Sequence, residues 1–309
     1  MTEIILHNYP QSPVAEKVRV GLGIKGLTWH SVEIPRLPPK PDLIPLTGGY
    51  RRTPVMQIGA DVYCDSQCIF RALERHAPSP SFFPAGPGLS YALSRWIDGE
   101  LFNIAVKLVL GGAGSALDPA FAADRGRLYL GADWQERLEE AHTENAHYAS
   151  QMRVALTWVG DMAARQPFLT GPHPGYADAL AYHVVWFLRG RWAGGPDLVS
   201  SIPALAAWEK RVRDIGHGTA HEMRASDALD HARAARPATD GPIDTGDPLR
   251  ADAGDRVAVS PDLDGGEQAI EGRLSRLTAE EVAIRREDPV VGDVCVHFPR
   301  SGYRIVRIP

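Results

Sequence analysis

Three residue pairs near the start of this 309-residue chain combine side chains and backbone groups that could do chemistry. The first is Ser12-Pro13, which heads the run Val14-Ala15-Glu16-Lys17-Val18-Arg19. Proline suits the first position of a helix, where a missing N–H costs nothing, so Ser12 falls at the N-cap. On one reading Ser12 only caps that helix. On the other, the unpaired N–H groups and positive end of the helix hold a substrate thiol as its thiolate, with the Ser12 hydroxyl adding a hydrogen bond. A free thiol pKa of about 8.5 falls by a unit or more in such a place. Tyr9, just ahead of the helix, offers a phenol for the same task.

The second pair is Thr53-Pro54, preceded by Arg51-Arg52 and followed by the apolar run from Val55. As a trans turn before an edge strand it is purely structural. As a cis peptide it would turn the Thr53 N–H and C=O outward, where an extended peptide pairs as an added strand. The third pair is Asp65-Ser66. Both residues cap helices well. Ser66 and its N–H could also clamp a carboxylate while Asp65 takes an amino group, which suits the amino-acid end of a ligand.

The elements that must position these pairs follow from pattern. Residues 4–7 read as a strand, 13–25 as a helix stopped by Gly26, and 31–34 as a second strand. After an irregular proline-rich stretch, strands at 55–58 and 62–64 flank Gly59-Ala60-Asp61, and a helix runs from 65 to 75. The order β-α-β, link, β-β-α is a thioredoxin-like arrangement over residues 1–78. Past a linker marked by Pro78, Pro80, Pro84 and Pro87, helices are predicted at 89–111, 133–165, 176–190, 204–215 and 219–234, an all-helical domain over 88–235. Residues 237–254 read as a flexible linker. Five short strands within 254–309 then predict a small β-barrel-like module. The fold class is thus α/β plus all-α, with a β-rich tail.

Composition narrows the function. The net charge of −5, with 13 acidic against 9 basic residues from Gly241 onward, argues against nucleic acid as a partner. The most apolar stretch, 104–116, is interrupted by Lys107 and three glycines, so no membrane span is expected. No basic segment followed by an apolar core opens the chain, and a cytoplasmic location is expected. Cys64, Cys68 and Cys295 make no disulfide framework, and the first two read as small core residues. His142 and His147 lack zinc spacing, so no metal is expected. Gly111-Gly112-Ala113-Gly114 has no following lysine and reads as a helix end.

Taken together and in this order, Ser12-Pro13, Thr53-Pro54 and Asp65-Ser66 resemble the motifs of the cytosolic glutathione transferases. The Ser12 to Arg19 run is similar to the first-helix motif of omega-type and related bacterial members. Phe168-Leu169-Thr170-Gly171 followed by Tyr176-Ala177-Asp178 resembles the segment entering a buried helix of the second domain, although Gly175 stands where a Ser or Thr is usual. Pro203 to Trp208 resembles a late-helix motif. The resemblance covers about residues 3–220 and leaves the tail unexplained.

It implies glutathione as co-substrate, activated at Ser12 or alternatively Tyr9. Thr53 and Pro54 would pair the cysteinyl backbone, Asp65 and Ser66 would hold the γ-glutamyl group, and Arg52 would stand near the glycyl carboxylate. It further implies a transferase of detoxification type, a homodimer, and a small apolar electrophile lined by Trp96, Phe102 and Val106. Serine at position 12 cannot form a mixed disulfide, so conjugation fits better than thiol exchange. The alternatives are a glutathione- or partner-binding protein without catalysis, and a glutathione-dependent isomerase or dehalogenase.

Overall fold

The computed structural model describes residues 3–238, 240–263 and 265–309. In chain order the elements are β1 (Ile4–Asn8), α1 (Pro13–Ile24), β2 (Thr28–Glu33), α2 (Ile44–Thr47), β3 (Val55–Ile58), β4 (Asp61–Cys64) and α3 (Ser66–His76). A helical stretch follows: α4 (Pro87–Ser94), a π-helical segment (Arg95–Leu101), α5 (Phe102–Ala113), α6 (Pro119–Leu130), α7 (Trp134–Thr143), α8 (Asn145–Arg165), α9 (Tyr176–Arg191), α10 (Gly195–Ser200) and α11 (Pro203–Ile215). The chain ends with β5 (Thr219–Glu222), α12 (Ala225–Ala234), β6 (Arg256–Pro261), β7 (Ile270–Leu277), β8 (Glu281–Asp288), β9 (Gly292–Pro299) and β10 (Tyr303–Arg307). Two compact units result: Met1–Ala15, Thr28–His76 and Thr219–Pro309 form one, and Glu16–Leu27 with Ala77–Gly218 the other.

In the sheet unit, all ten strands hydrogen-bond in the order β10-β6-β7-β8-β9-β4-β3-β1-β2-β5. The apolar run of β1, buried at every position, suits a strand in the interior of a sheet covered on both faces. The predicted separate barrel-like module is replaced by an extension of this same sheet. Its five antiparallel strands join β4 through β9, which runs parallel to it with Asp61 opposite Cys295 and Tyr63 opposite His297. One core serves both parts: Ile5, Val32, Val55 and Val62 cluster with Val257, Leu274, Ile284, Val296 and Phe298. An open edge at β4 would leave a row of backbone groups unpaired, and the tail closes it.

On the opposite side, β2 is also covered, and β5 becomes the outer strand. Residues 219–222, read as the start of a helix, pair as β5 in parallel with β2, from Thr28 opposite Thr219 to Ser31 opposite Glu222. All four are exposed, so no apolar alternation marked them as a strand. Only 225–234 is helical, and Ala228 and Ala232, one turn apart, enter the sheet's core. The stretch predicted to be a flexible linker is tied down at several points: Ala238 N–H donates to Asp61 at 2.9 Å, and Arg300 pairs with Asp247 at 2.5 Å.

His7 lies within this sheet with its Nε2–H donating to Gln57 Oε1 at 3.0 Å and its Nδ1 without a partner among the described residues. Burial lowers its pKa to about 4, against a weaker raising influence of Gln57 and Asp42. The unfolded chain takes up this proton near pH 6.5 and the folded unit does not, so stability is full above that pH and falls as the pH drops toward about 4. The expected slope is on the order of 1 kcal/mol per pH unit. Urea midpoints across that window should show it for wild type and a flatter curve for His7→Gln; an equal slope in both would place the titrating group elsewhere.

In the helical unit, the single helix predicted at 133–165 is two, α7 and α8, divided at Glu144. Helices α6 and α10 lie where the sequence pattern predicts none. Helix α9 is buried nearly all round, from Tyr176 through Leu188. Asp178 anchors its start, accepting hydrogen bonds from Gly175 N–H (2.9 Å), Leu169 N–H (2.9 Å) and the Trp208 indole (2.8 Å). The absent Ser or Thr at 175 has a packing cause. A Cβ there would lie 2.6 Å from the Phe82 carbonyl oxygen and 3.0 Å from Pro84, because Tyr176 N–H bonds to that same carbonyl at 2.8 Å. Gly175→Ala, and equally Gly175→Ser, should lower unfolding stability by about 1–3 kcal/mol. An unchanged urea midpoint in both would show that the approach can relax. No helix of the described residues is long and apolar enough to cross a membrane.

Candidate functional site

Ser12 precedes Pro13 at the start of α1, and its Oγ accepts the Ala15 N–H at 3.1 Å. That is the capping geometry, and it leaves the hydroxyl hydrogen to donate elsewhere. Ser12 is 2% exposed. Its N–H bonds to Tyr9 C=O at 3.1 Å, while the Tyr9 ring is buried in the sheet unit's core. The Thr53–Pro54 peptide is cis. Lys40 joins the two regions, donating to Thr53 Oγ1 at 2.8 Å with its Nζ 5.8 Å from the centre of the Tyr9 ring. No described residue bonds the Thr53 N–H or C=O.

Asp65 has φ of 73°, a left-handed conformation that Asp tolerates better than most residues. Its carboxylate accepts the Gln67 N–H at 2.8 Å and the Tyr303 hydroxyl at 3.2 Å. Ser66 then opens α3, and neither its hydroxyl nor its N–H has a hydrogen-bond partner among the described residues. Backbone and hydroxyl groups set back from solvent need partners. Thr53 and Ser66 therefore present donors and an acceptor to whatever lies beside them.

The tail reaches the same neighbourhood, which no local pattern foretold. Arg52 Nε lies 2.9 Å from each carboxylate oxygen of Glu267, and its Nη2 donates to Glu267 at 2.5 Å and to Leu263 C=O at 3.2 Å. Arg51 donates to Gly265 C=O at 3.0 Å. Tyr303 bonds Tyr50 at 3.0 Å, and both rings pack on Phe298. Two of the predicted ligand-binding side chains, Arg52 and Asp65, are thus engaged by residues more than half the chain away in sequence.

A buried ionic bridge crosses the β4–β9 junction. His297 Nδ1 faces Glu281 at 2.8 Å and Nε2 faces Asp61 at 3.0 Å, with Arg75 on Glu281 at 2.9 Å and the Tyr63 ring stacked 4.5 Å away. Burial opposes the His297 charge, but the flanking Asp61 and Glu281 outweigh it and hold the imidazole well above its ordinary pKa. Burial likewise opposes the Glu281 charge, and His297 with Arg75 brings that carboxyl down to about 2. Asp61, Cys295 and His297 place donor atoms within 4.8 Å of one another, a grouping invisible to spacing along the chain. Both imidazole nitrogens already meet carboxylates, so the arrangement is a complete ion bridge. Cys64 and Cys68 are fully buried, and burial pushes both thiols up.

In the helical unit, Phe102 and Val106 are core residues, Phe102 packing against Tyr129, His183 and Phe187. Of the three predicted lining residues only Trp96, its ring tilted 40° to that of the exposed Trp158, stays partly open. The π-helical segment places Asp98 2.6 Å from the buried Lys17.

Two family models match the chain. The glutathione S-transferase N-terminal domain model matches residues 6–81 and the C-terminal domain model residues 129–211. A GST-like protein from Pseudomonas syringae is 37% identical, with 100% of both chains covered and a TM-score of 0.78. Glutathione S-transferase III in its apo form is 20% identical over 68% of this chain and 91% of its own, with a TM-score of 0.50. A tau class enzyme from mango, Mangifera indica, is 18% identical over 69% and 92%, with a TM-score of 0.51. These last two likenesses concern the fold alone. Among curated protein sequences none matches.

Proposed function

The chain belongs to the glutathione S-transferase superfamily, and from that premise we propose that it is a glutathione-dependent transferase acting on a small apolar electrophile. Glutathione would lie along Thr53, pairing with its open N–H and C=O as an added strand. Its amino-acid head would meet Asp65 and Ser66, and its sulfur the amino end of α1. There the Ser12 hydroxyl hydrogen, free of the capping bond, donates to the thiolate. The thiol proton leaves to solvent, the sulfur lone pair forms the S–C bond, and any leaving group departs with its electron pair. Catalysis needs little beyond a lowered thiol pKa and proximity. Ser12 is preferred to Tyr9 because its hydroxyl stands at the N-cap of α1, on the Ala15 N–H.

The observation that carries this reading is the set of groups on Thr53 and Ser66 that have no hydrogen-bond partner among the described residues. Calorimetric titration with glutathione tests it: heat of binding at micromolar to millimolar ligand is expected, and no heat even at millimolar concentration would end it. A second reading, a binding protein without turnover, is favoured by the tail's hold on Arg52 and Asp65. Binding without conjugation of any electrophile tried, and with no isomerised or dehalogenated product, would select it.

A further inference from the structure

We infer that Glu267 makes this site selective for a γ-glutamyl thiol whose C-terminal carboxyl is masked as an amide or ester. The inference rests on the reading above, that a glutathione-type thiol lies along Thr53. Such a tripeptide carries two carboxylates, one on the head assigned to Asp65 and Ser66 and one at its other end. Two cations flank Thr53: Lys40, a point charge on its hydroxyl, and Arg52, whose planar fork can pair a carboxylate through two bonds; in this chain Arg52 already holds one. Glu267 takes the Nε edge of the guanidinium with both oxygens, and Leu263 C=O shares Nη2. The fork that recognises a carboxylate with two parallel bonds is therefore filled from within.

Burial sharpens the effect. The Glu267 side chain is only 5% exposed, against 25% for Arg52, so its charge is poorly screened. A ligand carboxylate arriving at the rest of the guanidinium would meet a like charge close by, and displacing Glu267 would strip a buried carboxylate of its partner. The loop is also pinned a second time, by Arg51 on Gly265 C=O, so Glu267 does not leave alone. A neutral amide or ester at the same end meets no repulsion, and an amide N–H can donate to Glu267. Selectivity of this kind comes from a repulsive element against the wrong ligand.

Calorimetry on the full chain, wild type and Glu267→Gln, with glutathione and with glutathione amidated at its glycyl carboxyl, tests this. Wild type is expected to bind the amide about 10-fold more tightly than glutathione, and Glu267→Gln to bring the two within about 2-fold, chiefly by tightening glutathione. The wild-type comparison alone fixes the sign if the variant folds poorly. Glutathione bound at least as tightly as the amide by wild type, with no change in the variant, would overturn the role of Glu267 while leaving the transferase reading intact. Neither ligand bound by either protein would overturn both.

Discussion

Alanine at position 12 is expected to leave glutathione bound while lowering its conjugation rate by up to about 50-fold near pH 6.5. The reason is the share of thiolate. With the sulfur held at the amino end of α1 and the Ser12 hydroxyl donating to it, a thiol pKa near 6.5 would keep about half of the bound ligand ionised. Without that donor the pKa returns toward its free value of about 8.5, and the ionised share falls to about one part in a hundred. The rate of Ser12→Ala should then climb as pH rises and approach wild type above about pH 8.5, a pattern that loss of folding would not produce. Removing the cap from Ala15 N–H also costs about 1 kcal/mol of helix stability, which the bound thiol does not feel. The measurement is conjugation rate against pH for both proteins, beside the thiolate absorbance of the complex. A flat ratio across pH would refute the role given to Ser12, and the same pattern in Tyr9→Phe instead would move that role to the phenol.

Substituting His297 by alanine should cost about 3–5 kcal/mol of stability in the sheet unit. The imidazolium lies between Asp61 and Glu281 at hydrogen-bond distance on both sides. Its removal leaves two buried carboxylates, of which Glu281 keeps Arg75 while Asp61 keeps, among the described residues, the Ala238 N–H. For His297, a raised pKa means stabilisation that is present below its unfolded value and lost only as the pH climbs past its folded one. For Glu281, lowered to about 2, stabilisation is present above its ordinary value of 4.5 and lost as the pH falls toward 2. The bridge is therefore intact from about pH 5 through neutrality. Urea unfolding at neutral pH is the test, and Asp61→Asn combined with His297→Ala should recover part of the loss. A cost below about 1 kcal/mol for His297→Ala would mean that water reaches the site and screens it.

The parts of this molecule legible in its sequence are those whose physics is local. Ser12-Pro13 announces a helix start within two residues and Asp65-Ser66 a second, and helices begin at Pro13 and Ser66; at Thr53-Pro54 the sequence left trans and cis open, and the peptide is cis. What stayed hidden depends on a distant partner. Nothing around Val294 to Val296 says that its neighbour is β4 and not another strand of the tail. Glu267 follows two glycines in a loop, and only the folded chain shows it meeting Arg52. The four exposed residues of β5 are a strand solely because β2 has an edge to be filled. Gly175 departs from the pattern because the Phe82 carbonyl occupies the space its side chain would need.

The parallel join of β9 to β4 bears on how this protein is made. Until the ribosome has added β9, β4 has no neighbour on its outer side, and the apolar side chains that will meet Val296 and Phe298 lack their cover. Pairings between chain segments this remote are slow to form, and an uncovered strand invites pairing with other nascent molecules. Premature stops within β6 to β9 should therefore yield insoluble product, not a working shorter protein.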